Sequence, residues 1–158
     1  MAEALDATDV RLVEALRADG RASYAQLGRL VGLSGPGVQD RLRRLEERGV
    51  LTGYGAFVDP VAVGLGVSAL VGIHLSDSAD QAVVDRCLEA VAEIEHCWFV
   101  AGDESFVVVV RCADVDALEK TIWLIRGIEG VSRTMTNVVL STRWENRPVP
   151  LAPPEDDD

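Results

Sequence analysis

The chain has 158 residues, is 48% hydrophobic and carries a formal net charge of −11. That length and apolar content suit one ordinary domain or two small ones and exclude a disordered chain. No apolar run approaches the roughly 20 residues of a membrane span, the acidic start MAEALDATDV lacks the pattern of a secretory leader, and acidity on this scale argues against nucleic acid unless the charge is unevenly spread.

It is unevenly spread. Arg21, Arg29, Arg41, Arg43, Arg44 and Arg48 lie in a window whose only acids are Asp40, Glu46 and Glu47. Three helices are predicted around it. Asp6 is an N-cap ahead of the apolar stripe Leu12, Val13 and Leu16, and Asp19-Gly20 ends that helix. Ser23 with Gln26 three residues later makes a capping box, so a second helix starts at Tyr24. Leu27, Leu30 and Val31 form its buried face, and Gly32 stops it. Ser34 caps a third helix with Val38, Leu42 and Leu45 on one face, ended by Gly49.

Two short helices joined by a tight glycine turn form a helix-turn-helix unit. At about 100° per residue, the side of the third helix opposite its apolar stripe centres on Pro36, Asp40, Arg43, Arg44 and Glu47. Arg41 and Arg48 flank it on one side and Gln39 on the other. One reading is a solvated charged face. The other is a recognition helix that enters the major groove N-terminus first. Small residues at its start favour the second. Gly35 and Gly37 allow close approach to a duplex, free N–H groups there can receive a phosphate, and Pro36 costs little in a first turn. Gly37 costs the helix about 0.8–1.0 kcal/mol relative to Ala, although a simple irregularity at the helix start also accounts for it. The expected DNA contacts are Ser34, Gly35, Pro36, Gly37, Gln39, Asp40, Arg41, Arg43 and Arg44. Arg43 is expected to read sequence and Arg41 to touch phosphate. Asp40 either orients Arg43 and Arg44 from one turn away or accepts from a cytosine amino group.

After Gly49 comes VLTGYGAFVDPVAVGLG. Its first part alternates like a short strand, and Asp59-Pro60 with its glycines reads as a linker. Then follow a strand over 67–75, a helix over 79–92, strands over 94–102 and 105–112, a helix capped by Asp114 and ended by Gly127, and a strand over 131–140. The order β-α-β-β-α-β is the ferredoxin-like unit. Residues 106–110 are apolar on both faces, yet helices cover only one face of such a sheet. A second copy packed sheet to sheet is the economical cover, so a homodimer is expected; the linker or the tail is the alternative. A two-fold dimer would suit a near-palindromic operator. The expected domains are 1–53 for DNA, 54–65 as linker, 66–142 for effector binding and oligomerisation, and 143–158 as an extension whose acidic end is disordered. Cys87, Cys97 and Cys112 match no zinc spacing and read as reduced core thiols, with a redox switch as the alternative. Neither a metal nor a cofactor is expected, and the expected compartment is the cytoplasm.

The stretches LDATDVRLVEALRADGRASYAQLGRLVGLS and VQDRLRRLEERGVLTGYGAFVDPVAVG, with the GDES turn and the VSRTMTNVVL strand, resemble the Lrp/AsnC family (leucine-responsive and asparagine regulators) of transcription factors. The resemblance runs from Leu5 to about Thr142. It implies an α+β chain, a winged helix-turn-helix joined to an effector-binding domain, which dimerises, often forms octamers, and answers to amino acids or related metabolites bound between dimers. It places the effector near a Gly-Asp-Tyr-Asp-like turn, matched here by Gly102, Asp103, Glu104 and Ser105, and near Thr134 and Thr136 of the last strand. Glu104 replaces the family's aromatic. Ser105 replaces the acid that commonly holds an ammonium, and a serine cannot supply that charge. Asp103 or Glu104 takes over, the effector is unusual, or the site is empty. The threonines also suit any strand.

Two other readings remain. One is an effector-independent architectural DNA protein. The other is an enzyme of the related haem-pathway decarboxylase type, for which His74 and His96 are the only candidate bases; no nucleophile or acid stands at a working spacing around them.

Overall fold

The computed structural model describes residues 5–151. Two compact units divide the chain. Of the described residues, one unit takes 5–57 and 144–151, and the other is Val58–Arg143.

Three helices build the first unit: α1 (Ala7–Ala18), α2 (Tyr24–Val31) and α3 (Gly35–Glu47). The Asp6 carboxylate accepts from the Asp9 N–H at 2.7 Å and starts α1. The capping box before α2 is complete: the Ser23 N–H donates to Gln26 Oε1 at 2.7 Å, and the Gln26 N–H donates to Ser23 Oγ at 3.3 Å. Gly32 ends α2 with φ of 75°, a left-handed cap that glycine adopts without strain. Ser34 Oγ accepts the Gly37 N–H at 3.3 Å and starts α3. Leu12, Val13, Leu16, Leu27, Val38, Leu42 and Leu45 form the core, with Leu5, Val31, Leu51 and Leu151 packed against it. Leu30 departs from expectation. It is 45% exposed, and its place inside is taken by Gly28, where a Cβ would meet the Leu33 carbonyl oxygen at 2.4 Å. Only a glycine lets the turn after α2 fold back so closely.

The strand expected after Gly49 does not form. Residues 50–58 have no ladder, and the segment holds a single 3-10 turn at Val61–Val63. Alternation alone does not make a strand when no neighbouring strand takes its N–H and C=O groups.

The second unit contains β1 (Val67–Leu75), α4 (Gln81–Glu89), β2 (Ile94–Phe99), β3 (Phe106–Cys112), α5 (Val115–Arg126) and β4 (Val131–Val138). Its sheet is antiparallel with order β2-β3-β1-β4, as the β-α-β-β-α-β pattern requires. Asp80 and Asp114 cap α4 and α5. Ala69, Val71, Ile73, Phe106, Val108, Val110 and Cys112 face these helices and pack on Val84, Leu88, Leu118 and Ile125. Among the described residues of this unit no helix covers the opposite face. Leu70 and Trp98 are exposed there, and Val107 and Val109 are half-buried. Only Cys112 is a core thiol. Cys87 and Cys97 are exposed: Cys87 lies off the buried Val84 and Leu88 positions of α4, and Cys97 pairs with Val108 but stands on the edge strand β2.

Among the described residues no helix is long and apolar enough to cross a membrane, and no group of three or more His, Cys, Asp or Glu is placed to hold a metal ion. The acidic end of the chain, expected to be disordered, lies outside the described residues.

Candidate functional site

The outward face of α3 assembles as its periodicity demands. Ser34, Pro36, Gln39, Asp40, Arg43 and Arg44 are exposed, and Gly35 and Gly37 are half-buried at the helix start. A Cβ on Gly35 would meet nothing within 4 Å, and one on Gly37 would touch only Ser34 Oγ and Leu33 Cβ. The fold itself therefore does not demand glycine at either position. The Gly37 N–H is already donated to Ser34, so less of the first turn is open to a phosphate than the bare pattern suggests.

Asp40 uses both oxygens. Arg43 Nη2 donates to Oδ1 at 2.7 Å, and Arg44 Nη2 donates to Oδ2 at 2.5 Å. Arg43 Nη1 also reaches Glu47 Oε1 at 2.7 Å. Hydrogen bonds from the two guanidinium groups, with their charge, hold the Asp40 carboxyl below the usual carboxylate range. The same pairing with Asp40, and the charge of Glu47, raise Arg43. Of the two roles weighed for Asp40, orientation of its arginines is the one this geometry displays.

Arg41 stands elsewhere. It is turned toward α1, where Nη1 donates to Asp6 Oδ2 at 2.6 Å and to Asp9 Oδ1 at 2.7 Å. The outward face therefore lacks the arginine expected to touch phosphate. Burial pushes the Asp6 carboxyl up, but hydrogen bonds from the Asp9 N–H and from Arg41 outweigh it and leave the group lowered. Asp9 is mostly buried and also lies 3.9 Å from Arg48. Sequence reasoning assigned no tertiary role to Asp9, because its partners are 32 and 39 positions away.

The turn between β2 and β3 carries the expected effector residues. Gly102 and Asp103 are exposed; Glu104 and Ser105 are half-buried. The Ser105 N–H donates to the Ile73 carbonyl at 2.8 Å, and the Val100 N–H donates to the Ser105 carbonyl at 3.0 Å. Glu104 lies over Gly72 of β1, where a Cβ would stand 2.8 Å from its Cγ. The Asp103 carbonyl accepts from His74, and its carboxylate accepts from Arg133. These contacts draw the turn toward the open face of the sheet. Thr134 and Thr136 are not brought to them. They pair with Ile73 and Val71 and so share the helix-covered side, at the free edge of β4. One chain alone does not gather the expected set.

The histidines show no catalytic geometry. His74 is buried with both ring nitrogens engaged. His96 stacks on Trp98 at 5.4 Å and lies 3.7 Å from Glu95.

Residues 5–46 match the AsnC-type helix-turn-helix domain, and residues 68–149 match the Lrp/AsnC ligand binding domain. The chain belongs to the Lrp/AsnC family. It is 44% identical over 147 residues to the HTH-type transcriptional regulator LrpA of Mycobacterium tuberculosis, covering 93% of this chain and 97% of that protein. It is 33% identical over 141 residues to the proline dehydrogenase transcriptional activator of Rhizobium radiobacter, covering 87% and 90%. Among solved structures, the feast or famine regulatory protein of M. tuberculosis complexed with L-methionine superposes with a TM-score of 0.88 at 42% identity, covering 94% of this chain and all of that one. These Lrp/AsnC relatives are named as transcriptional regulators, and the family is not one of enzymes.

Proposed function

We propose that the chain is a sequence-specific DNA-binding transcriptional regulator, read out through α3 and tuned by an amino acid or related metabolite. The observation that carries this reading is the exposed pair Arg43 and Arg44, both aimed by one aspartate on the outward face of the capped helix α3. Oriented guanidinium groups on such a helix suit the N7 and O6 acceptors of guanine. Ser34, Gly35, Pro36 and Gly37 bring the helix start close to the backbone, and Gln39 lies beside the arginines.

The uncovered sheet face supports a homodimer, which presents two such helices to a near-palindromic operator. A ligand held between dimers explains why Gly102–Ser105 and Thr134 with Thr136 are separated within one chain: different copies supply them. Assembly to an octamer and a cytoplasmic location follow from the family. The methionine complex of the M. tuberculosis relative makes L-methionine the first effector to try.

The deciding experiment recovers genomic DNA on the purified protein and sequences it. Enrichment of a shared near-palindrome supports the reading. Equal retention of random DNA would instead point to an architectural protein. Calorimetric titration with a panel of amino acids tests the second half, and binding by none of them would refute an ordinary amino-acid effector.

A further inference from the structure

The effector turn is held by a closed ring of contacts around a buried histidine. His74 is 8% exposed and sits on the open face of β1. Its Nδ1 lies 2.9 Å from the Asp103 carbonyl oxygen. A carbonyl only accepts, so Nδ1 carries the proton. Its Nε2 lies 3.1 Å from Arg133 Nη2. A guanidinium only donates, so Nε2 must be bare. The two contacts together select the neutral Nδ1–H tautomer. Arg133 Nη2 also reaches Asp103 Oδ2 at 3.3 Å. Asp103 is thus held through its main chain by the imidazole and through its side chain by the guanidinium.

A second proton would break this ring at one place. Nε2–H would face the N–H of Arg133, two donors and two positive charges at hydrogen-bond distance, and the guanidinium would have to leave. Arg133 from β4 and Asp103 from the turn contact the imidazole, and Glu104 of the turn lies over Gly72, two residues along β1.

We propose that His74 and Arg133 are positioning residues that hold the Asp103 turn in its effector-binding shape, and that they do so only while the imidazole is neutral. This rests on residues 102–105 being the effector turn. Effector affinity is then full while the ring is neutral and falls when it takes up its second proton.

The test uses the full-length protein with selectively nitrogen-labelled histidine and L-methionine as the probe. Without ligand, NMR should show the His74 ring in its neutral Nδ1–H form at about pH 8, and the Asp103 and Glu104 amides should shift with the same midpoint as the ring. In His74→Gln, which keeps one donor and one acceptor but does not titrate, those amides should ignore pH. Arg133 is 59% exposed, so Arg133→Ala leaves the core intact, and it should likewise uncouple the turn from the ring. In calorimetry, wild-type affinity should fall roughly tenfold across the ring's protonation step as read by NMR, on the scale of one lost charge-assisted hydrogen bond, while His74→Gln stays flat. Turn amides that do not follow the ring, or equal pH dependence in wild type and His74→Gln, would overturn the inference. If L-methionine fails to bind wild type at pH 8, its role as effector falls, and the ligand-free spectra decide the positioning role alone.

Discussion

Two arginines of α3, two residues apart in sequence, face different tasks. Arg43 is exposed beside Asp40 and Glu47, and Arg41 is folded back onto Asp6 and Asp9. Arg43→Ala should lower operator affinity roughly tenfold and relax the preference at one base pair, as measured by gel shift against single-base operator variants. Asp40→Asn should loosen binding across all sites, since it removes the charge that aims both Arg43 and Arg44. A change confined to one base pair would mean that Asp40 reads a base itself. Arg41→Ala should instead lower stability by about 1–2 kcal/mol, because it leaves the mostly buried Asp9 short of its main partner. That loss depends on pH. Asp6 is lowered in the folded state, so its pairing stabilises the fold above about pH 4 and the contribution vanishes as pH falls through the folded value. Thermal melts of wild type and Arg41→Ala should therefore lie apart at pH 7 and draw together as the pH falls below about 4.

Among the elements, caps and stripes were legible and close approaches were not. Asp6, Ser23, Ser34 and Asp114 cap where local spacing says they must, because a cap needs only its own first turn. Leu30 was misjudged for the opposite reason, and the buried Gly28 was not singled out. The two stand about 160° apart around a two-turn helix, and how the following turn passes over α2 decides which side is covered. Gly28→Ala gains up to about 1 kcal/mol in helix propensity, but its Cβ meets backbone at Leu33 rather than a side chain that can swing away. A net loss of about 2 kcal/mol, as for overpacked sites, should appear in urea unfolding. Unchanged stability would show that the turn after α2 shifts freely. The strand expected after Gly49 failed because a strand is completed by a neighbour, and none in the described chain pairs with it.

For the whole molecule, the homodimer proposed above rests on the uncovered sheet face. Val109 is half-buried in the middle of that face, away from the helices. Val109→Asp should leave the β-α-β-β-α-β unit folded while placing an unpaired charge in the sheet-to-sheet contact, which is strongly unfavourable. Sedimentation should then report a smaller species than wild type, with circular dichroism unchanged. If the variant assembles as wild type does, the copies meet elsewhere, and the near-palindromic operator loses its structural reason.

The amino-acid sequence alone determined the order of elements, the helix-turn-helix, the apolar stripes and the patch of arginines in an acidic chain. Each is written in residues a few positions apart, through the 3.6 and 2.0 residue periods and the chemistry of caps. Only the tertiary structure decided that Arg41 serves the fold, that Thr134 and Thr136 share the side away from Asp103 and Glu104, and that His74 with Arg133 grips the turn. Those pairings join residues roughly 30 to 60 positions apart, across strands whose register no local pattern specifies.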